Sequence, residues 1–238
     1  MSKLTDPKIS FEDPLTLLPR RPIQQYPRKR VLYDPQRPSD SLFVVVSGRV
    51  KVTHAVTDGS QTIMRIVTAD GIFGESSLLG VPSRHESAIA LENVKAMSWT
   101  AAEIEHQIQR EPRLGVALVQ YMVRQCLQME ERIQCMAICK TPERVALALV
   151  QLADMTGIPL DEGIVRMGGL THQTLAEYIG TSREIVTFQL NRLRRVGMVK
   201  YTRKTIDVNR RGILAGLRQR HTPVPALSER AESATAVR

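Results

Sequence analysis

Arg183 and Glu184 stand side by side at the start of a short helical pattern, where they could read a base pair. A guanidinium can fork onto O6 and N7 of guanine, and a carboxylate can accept from cytosine N4. Ser182 just before them is a hydroxyl N-cap, and Ile185, Val186, Leu190 and Leu193 form an apolar stripe behind them. A shorter stretch precedes this one. Thr171 caps it, Leu175, Ala176 and Ile179 keep helical spacing, and Gly180 ends it, because Gly takes the left-handed conformation of a sharp helix stop. Two short helices about a Gly corner spell a helix-turn-helix, whose second helix fits the major groove with its N-terminal side chains at base edges. Residues 199–208, VKYTRKTIDV, follow as a hairpin with Arg203 and Lys204 at its tip, a wing able to touch backbone phosphate. The bland alternative is a basic, solvated helical pair without a ligand. Charge weighs against it: between 170 and 220 eleven Lys or Arg face three Asp or Glu, nearly all of the chain's formal +9.

These residues need a body to aim them, and composition bounds what it can be. At 238 residues there is room for about one or two domains. Hydrophobic residues at 42% and charged ones at 24% are ordinary for a soluble globular chain. No apolar run approaches the roughly 18–20 residues of a membrane span. The opening MSKLTDPKISFEDP carries acids and prolines and no apolar core, so no secretory signal, no membrane partner and a cytoplasmic location are expected. Three cysteines, Cys126, Cys135 and Cys139, are an odd count without framework spacing, which suits a reducing compartment. No Ser–His–Asp, HExxH, P-loop or CxxC pattern occurs, so neither enzyme activity nor a metal site is expected.

From Arg30 the period is that of strands. RVLYD, SLFVVVSGRVKVTHAV, TIMRIV, ESAIAL and VKAMSW are β-branched runs separated by turn residues, with Asp58-Gly59 as a hairpin signal and Gly48 as a bulge or bend. Short strands so close together imply an antiparallel roll or barrel. Thr100 caps the helix AAEIEHQIQR. After Glu111-Pro112 the longest helix runs to about Cys139, with Val119, Met122, Cys126, Met129, Ile133 and Met136 as a heptad seam. That seam either packs on the roll or pairs with a second copy of the chain; its polar remainder favours the homodimer. A two-fold pair would read half-sites about 34 Å apart in a near-palindromic double-stranded DNA site. Thr141-Pro142 then restarts a helix as N-cap and first residue. Residues 156–169 are loop with at most a short strand at 164–167. The expected division is a lead-in at 1–29, a sensory roll at 30–110, a dimerisation helix at 111–139, a winged helix-turn-helix at 140–220 and a disordered tail at 221–238.

The order of these parts is α+β: an antiparallel, cyclic-nucleotide-binding-like roll, a long dimerisation helix, then a winged helix-turn-helix. It resembles the CRP–FNR family of bacterial transcription regulators over roughly residues 30–217. Its most specific pieces are GIFGESSLL at 71–79, the Thr141-Pro142 hinge region and LAEYIGTSREIVTFQLNRLRRVGMV. The resemblance implies base contacts from Arg183 and Glu184, and backbone contacts from Thr171, His172, Gln173 and Ser182. Phe188 stands where a second base-contacting Arg is often found. It can pack on a thymine methyl but not hydrogen-bond guanine, while Thr187 can still reach a base or phosphate. An effector in the roll is implied too, in a pocket of Gly74, Glu75, Ser76, Arg84, Ser87 and Met129. Gly71 and Gly74 let amides approach an anion, and Glu75 can accept from a ribose hydroxyl. Cyclic AMP fits poorly, because Glu86 replaces the phosphate-binding Arg before Ser87-Ala88 and would repel the ligand. Met129-Glu130 likewise stands where an adenine-contacting Thr-Ser pair would align.

Iron–sulfur sensing would need thiolates before Cys126, and there are none; haem would rest on a lone loop His85. Cys126 on the seam leaves redox sensing open beside the plainer reading of three small core thiols. A surface for RNA polymerase, the partner through which such a regulator would activate, is expected at 156–163. Two rivals stand beside this reading. A cupin-like enzyme would need several His and a Glu together, and the roll has only His54 and His85 in unrelated settings. A cyclic-nucleotide-binding module acting on a protein partner rather than DNA would show no steep salt dependence with duplex DNA.

Overall fold

The computed structural model describes residues 12–55, 61–80, 86–161, 163–202 and 204–219. The expected hairpin Asp58-Gly59, the tail at 221–238, His85, Arg84 and Arg203 lie outside them.

The N-terminal half begins with one helical turn, α1 (Pro14–Leu17), capped by the Asp13 carboxylate. Eight strands follow: β1 (Gln24–Tyr26), β2 (Val31–Tyr33), β3 (Ser41–Ser47), β4 (Val50–Ala55), β5 (Gln61–Val67), β6 (Ile72–Phe73), β7 (Glu86–Ala90) and β8 (Val94–Thr100). They form two four-stranded sheets, β1-β8-β3-β6 and β2-β7-β4-β5, with antiparallel pairing throughout. The expected roll is there, and it starts earlier than Arg30. QQY pairs with β8 (Gln24 opposite Ala96), and so polar and short a strand carries no alternation to read. Gly48 carries the chain from one sheet to the other at φ 88, where a Cβ would sit 2.5 Å from the Asn93 carbonyl. Between the sheets Tyr33, Phe43 and Phe73 stack, Phe43 and Phe73 with ring centres 4.9 Å apart, among Val45, Val50, Val52 and Ala88.

Thr100 caps α2 (Ala101–Arg110) through a reciprocal box, its hydroxyl accepting from Glu103 N while the Glu103 carboxylate accepts from Thr100 N. α3 (Arg113–Ile138) is the long helix, about 39 Å at its ordinary rise. Leu114 and Leu118 seat its first turns under Trp99, Leu42 and Ile72, and the Tyr121 hydroxyl holds both backbone groups of Ile72. This seating sets the rotation of α3. Val119, Cys126, Met129, Ile133 and Met136 of the expected seam are exposed, beside Val116, Val123 and Leu127, and Met122 is half-buried. Met129 also lines a cavity against β5, and the Met136 methyl faces Gly180.

The C-terminal unit starts with α4 (Thr141–Thr156). Its N-cap is Lys140, one residue before the expected Thr141, because the Glu143 carboxylate accepts from Lys140 N at 2.8 Å. The expected short strand at 164–167 is β10 (Ile164–Gly168), and it pairs in a hairpin with β9 (Ile158–Asp161), whose residues read as loop in the sequence. Pro159 and full exposure hide β9 from a periodicity reading. α5 (His172–Ile179), α6 (Arg183–Arg195), β11 (Val199–Tyr201), β12 (Thr205–Asn209) and α7 (Arg210–Gln219) complete it, in a sheet ordered β11-β12-β10-β9. α7 packs on α4, where Arg210 donates to Asp154 at 2.6 Å. Ile63 and Ile66 of β5 are buried in the same cluster as Leu149, Leu175 and Val186, so roll and reader share a core.

Candidate nucleic-acid interface

α5 and α6 meet at the expected corner. The Thr171 hydroxyl accepts from Thr174 N at 3.0 Å, and Leu175, Ala176 and Ile179 are buried. Gly180, at φ 73, stops α5, its N–H and that of Thr181 both donating to the Ala176 carbonyl. The Ser182 hydroxyl then accepts from Ile185 N at 3.3 Å. Val186 and Leu190 anchor α6, with Leu193 partly buried against the same core. The expected stripe is narrower than its sequence suggests. Ile185 is 41% exposed and shares the free face with Phe188, which is 65% exposed, while the polar Gln189 is buried instead.

Arg183 and Glu184 both project into solvent from the first turn of α6. The Glu184 carboxyl is held below the usual carboxylate range by its own backbone N–H, then by the Ser182 hydroxyl, so it stays ionised and can only accept. Thr187 is differently placed from what its position suggests. Its hydroxyl donates to the Arg183 carbonyl at 2.8 Å and lies 2.8 Å from His172 Nδ1. A hydroxyl has one proton, so Nδ1–H of His172 is the donor in that second contact, and Thr187 braces α5 against α6. Burial, then the nearby Arg183 charge, lowers the His172 pKa, which keeps the free ring neutral. Gln173 reaches back to Glu177 at 3.1 Å.

The wing is tied to this corner. The Tyr201 hydroxyl donates to Asn191 of α6 at 3.0 Å, its ring edge meets His172, and Arg194 lies over its face at 5.4 Å. At the turn Thr202 accepts from the amides of Lys204 and Thr205, which leaves the Lys204 side chain exposed. Arg183, Glu184, Phe188, Ser182 and Lys204 are thus exposed at the surface, and Thr171 and His172 face a cleft shared with the roll. Ile185 is the residue that sequence reasoning assigned to the core and the structure returns to the surface. Its signal was there: it is three residues before Phe188.

In the roll, Gly74 (φ 81) begins a short 3-10 turn at Glu75–Leu79. A Cβ on Gly74 would lie 2.6 Å from the Ser41 carbonyl. The Glu75 carboxylate is engaged twice by Arg65, at 2.7 and 2.6 Å, and Arg65 also reaches Gln125 of α3 at 3.5 Å. Glu86 accepts from the buried Tyr33 hydroxyl. That phenol's pKa is pushed far up, first by burial and then by the Glu86 charge. Ser87 sits in β7 opposite Thr53, and Ser76 is half-buried in the 3-10 turn. Met129 faces a cavity of about 600 Å³ bounded by β5, α3 and α4, which Arg65 also lines and Glu75 does not. Arg65 is the group the sequence reading missed; a lone cation inside TIMRIV was its only trace. Glu75 is thus paired by Arg65, while Glu86, bonded to Tyr33, stands before Ser87. No group of three or more His, Cys, Asp or Glu that could hold a metal occurs among the described residues, and none of their helices is long and apolar enough to cross a membrane.

Comparison with known proteins agrees with the geometry. Residues 23–111 match the family model "Cyclic nucleotide-binding domain", which starts where β1 does, and residues 143–217 match "Crp-like helix-turn-helix domain". The chain is 25% identical over 184 residues to the "CRP-like cAMP-activated global transcriptional regulator" of Mycobacterium tuberculosis, covering 77% of this chain and 82% of that one. It is 29% identical over 188 residues to the "Global nitrogen regulator" of Synechococcus elongatus, covering 78% and 85%. The fold is that of FixK2 from Bradyrhizobium japonicum, with TM-score 0.70 at 19% identity over 82% of this chain and 96% of that one. A cyclic-nucleotide-binding roll followed by a Crp-like reader, in the order its own residues dictate, places this chain in the CRP–FNR family of DNA-binding transcription regulators.

Proposed function

We propose that two copies of the chain, in the cytosol, pair along α3 and insert the start of α6 into successive major grooves of a near-palindromic site. The observation that carries this reading is the first turn of α6. Arg183, Glu184 and Phe188 stand exposed on a helix whose other face is locked by Val186 and Leu190 and braced by the wing. A rigid helix presenting one forked donor, one obligate acceptor and one apolar contact can discriminate bases. The partner helix would cover the exposed row of Val116, Val119, Val123, Leu127 and Ile133, with Cys126 inside it. Thr171, His172, Gln173, Ser182 and Lys204 would hold the backbone, as would Arg203, which lies outside the described residues. For contact with RNA polymerase the β9–β10 hairpin offers exposed Ile158 and Leu160.

The signal enters through the roll, and cyclic AMP is not the ligand we favour, because Glu86 stands where its phosphate would meet an Arg. Binding-site selection from a random duplex library, followed by anisotropy titration of the winner, tests the reading. A two-fold consensus whose recognition relaxes in Arg183→Ala is expected; no preference among sequences would end it. At the position Phe188 meets, thymine should be recovered rather than guanine.

A further inference from the structure

We infer that Ile185 is a second specificity-determining residue of α6, which with Phe188 reads the C5 methyl groups of pyrimidines in two neighbouring base pairs. The ligand class is a 5-methylated pyrimidine, thymine or 5-methylcytosine, presented in the major groove. This rests on the reading of α6 as the base reader.

The pair stands apart from the rest of its helix. α6 buries Val186, Gln189 and Leu190 and partly buries Leu193, so its core side is complete without Ile185. A polar residue lies inside while Ile185 and Phe188 lie outside, and these are the two large apolar side chains that α6 leaves in solvent. Three residues apart on a helix, they are neighbours, with Cβ atoms about 5–6 Å from each other. Helix propensity does not account for Ile185, because a β-branched side chain gives up rotamer freedom in a helical turn. Nor does packing within the chain, which leaves it open.

Its position names what meets it. Ile185 and Phe188 stand in the first two turns of the helix that opens with the exposed Arg183 and Glu184. The apolar surface therefore continues the base-reading one and enters the groove with it. There the pyrimidine C5 position supplies the apolar group, a methyl in thymine. Successive bases of a strand rise by about 3.4 Å, so two side chains one helical turn apart reach adjacent base pairs. Thr187 turns its hydroxyl to the Arg183 carbonyl and to His172, which keeps the polar group between them inside the protein. Ile185 is stiff at χ1 in a helix, so it loses little freedom on docking. The pair answers to the methyl group, while hydrogen-bonding edges are left to Arg183 and Glu184. A cytosine methylated at C5 satisfies it where plain cytosine does not.

Duplexes of the selected site, titrated with the full-length protein, test this. Thymines are exchanged one at a time for uracil, which removes the methyl group and keeps every hydrogen-bonding group. With the unsubstituted protein, exchanges in two neighbouring base pairs of the half-site should each weaken binding about 4-fold. Ile185→Ala should abolish one of these effects and Phe188→Ala the other. Ile185→Ala should bind the matching uracil duplex as tightly as the unsubstituted protein does, which also shows that the variant is folded. At the Ile185-dependent position, 5-methylcytosine should bind more tightly than cytosine, and Ile185→Ala should not distinguish them. An unsubstituted protein indifferent to every uracil exchange overturns the inference. So does Ile185→Ala that keeps both effects, as a protein partner on this face would produce, or that weakens thymine and uracil duplexes equally. Failure of the α6 reading looks different, since no sequence would then be selected at all.

Discussion

At the scale of single residues, the reader separates groups that stand open to a ligand from groups that hold them. Arg183 belongs to the first kind. Arg183→Ala should weaken binding to the selected site by about 1–3 kcal/mol, roughly 5- to 150-fold, and flatten preference at one position, while binding to random duplex changes little. His172 belongs to both. Its Nδ1–H is engaged by Thr187, which leaves Nε2 as the atom that can meet a phosphate, and only a protonated ring could donate from there. In the free protein its pKa is lowered, and a phosphate beside Nε2 would raise it again. The complex then holds more protons than the free protein, so affinity should rise as pH falls from neutrality and level off below the free ring's value. His172→Gln should remove that slope; a wild-type profile flat between pH 8 and about 5.5 would place no phosphate at Nε2. The thiols differ as sharply. Cys126 is exposed, whereas burial and then the Cys139 thiol push Cys135 up to about 12. Limited alkylation of monomeric protein should therefore mark Cys126 first, and mass mapping that finds Cys135 leading would contradict the environment described for it.

At the scale of elements, two glycines show what backbone alone fixes. Gly180→Ala places a Cβ 3.4 Å from the Met136 methyl, the mobile end of a side chain, so its cost is mainly the left-handed conformation, about 1–2 kcal/mol. Gly74→Ala meets the Ser41 carbonyl at 2.6 Å as well, so urea unfolding should rank it clearly the more destabilising. The Gly180 corner was plain in the sequence, as were the caps at Thr100, Thr171 and Ser182 and the strand runs of β3, β4 and β5, because each is set by neighbours a few residues away. What stayed hidden was set from far along the chain. QQY becomes a strand only because β8 lies beside it. The spacing of Val119, Met122, Cys126 and Met129 shows that a helix has an apolar side, but not which way that side turns. Leu114, Leu118 and Tyr121 decide that by packing on the roll, which leaves Val116, Val123 and Leu127 exposed beside the expected seam. Nor could spacing show that Arg65 and Glu75, ten residues apart, would cancel each other where a ligand's charge was expected.

At the scale of the molecule, roll and reader are joined through β5. Arg65 turns inward to Glu75, while the carbonyls of Met64 and Ile63 beside it accept from Arg132 of α3. The same guanidinium donates to the Tyr178 carbonyl at the end of α5 and lies over the Tyr178 ring at 4.7 Å. One side chain of the long helix thus grips a strand of the roll and the first helix of the reader at once. Lys51 and Glu177, each mostly buried, add a 2.8 Å ion pair across the same junction. Arg132→Leu keeps much of the volume but leaves three carbonyls without their donor, each costing about 1–3 kcal/mol where water cannot replace it. That loss falls on the junction and not on either core, since Leu149 and Leu175 on one side and Phe43 and Phe73 on the other are untouched. Calorimetry should therefore show the reader's transition moving below that of the roll, where the unsubstituted chain melts the two together. Lys51→Met should move it the same way by less, because that pair retains some solvent. A single transition at an unchanged Tm in Arg132→Leu would mean that Ile63 and Ile66 alone, through their apolar burial, carry the coupling between signal and reader.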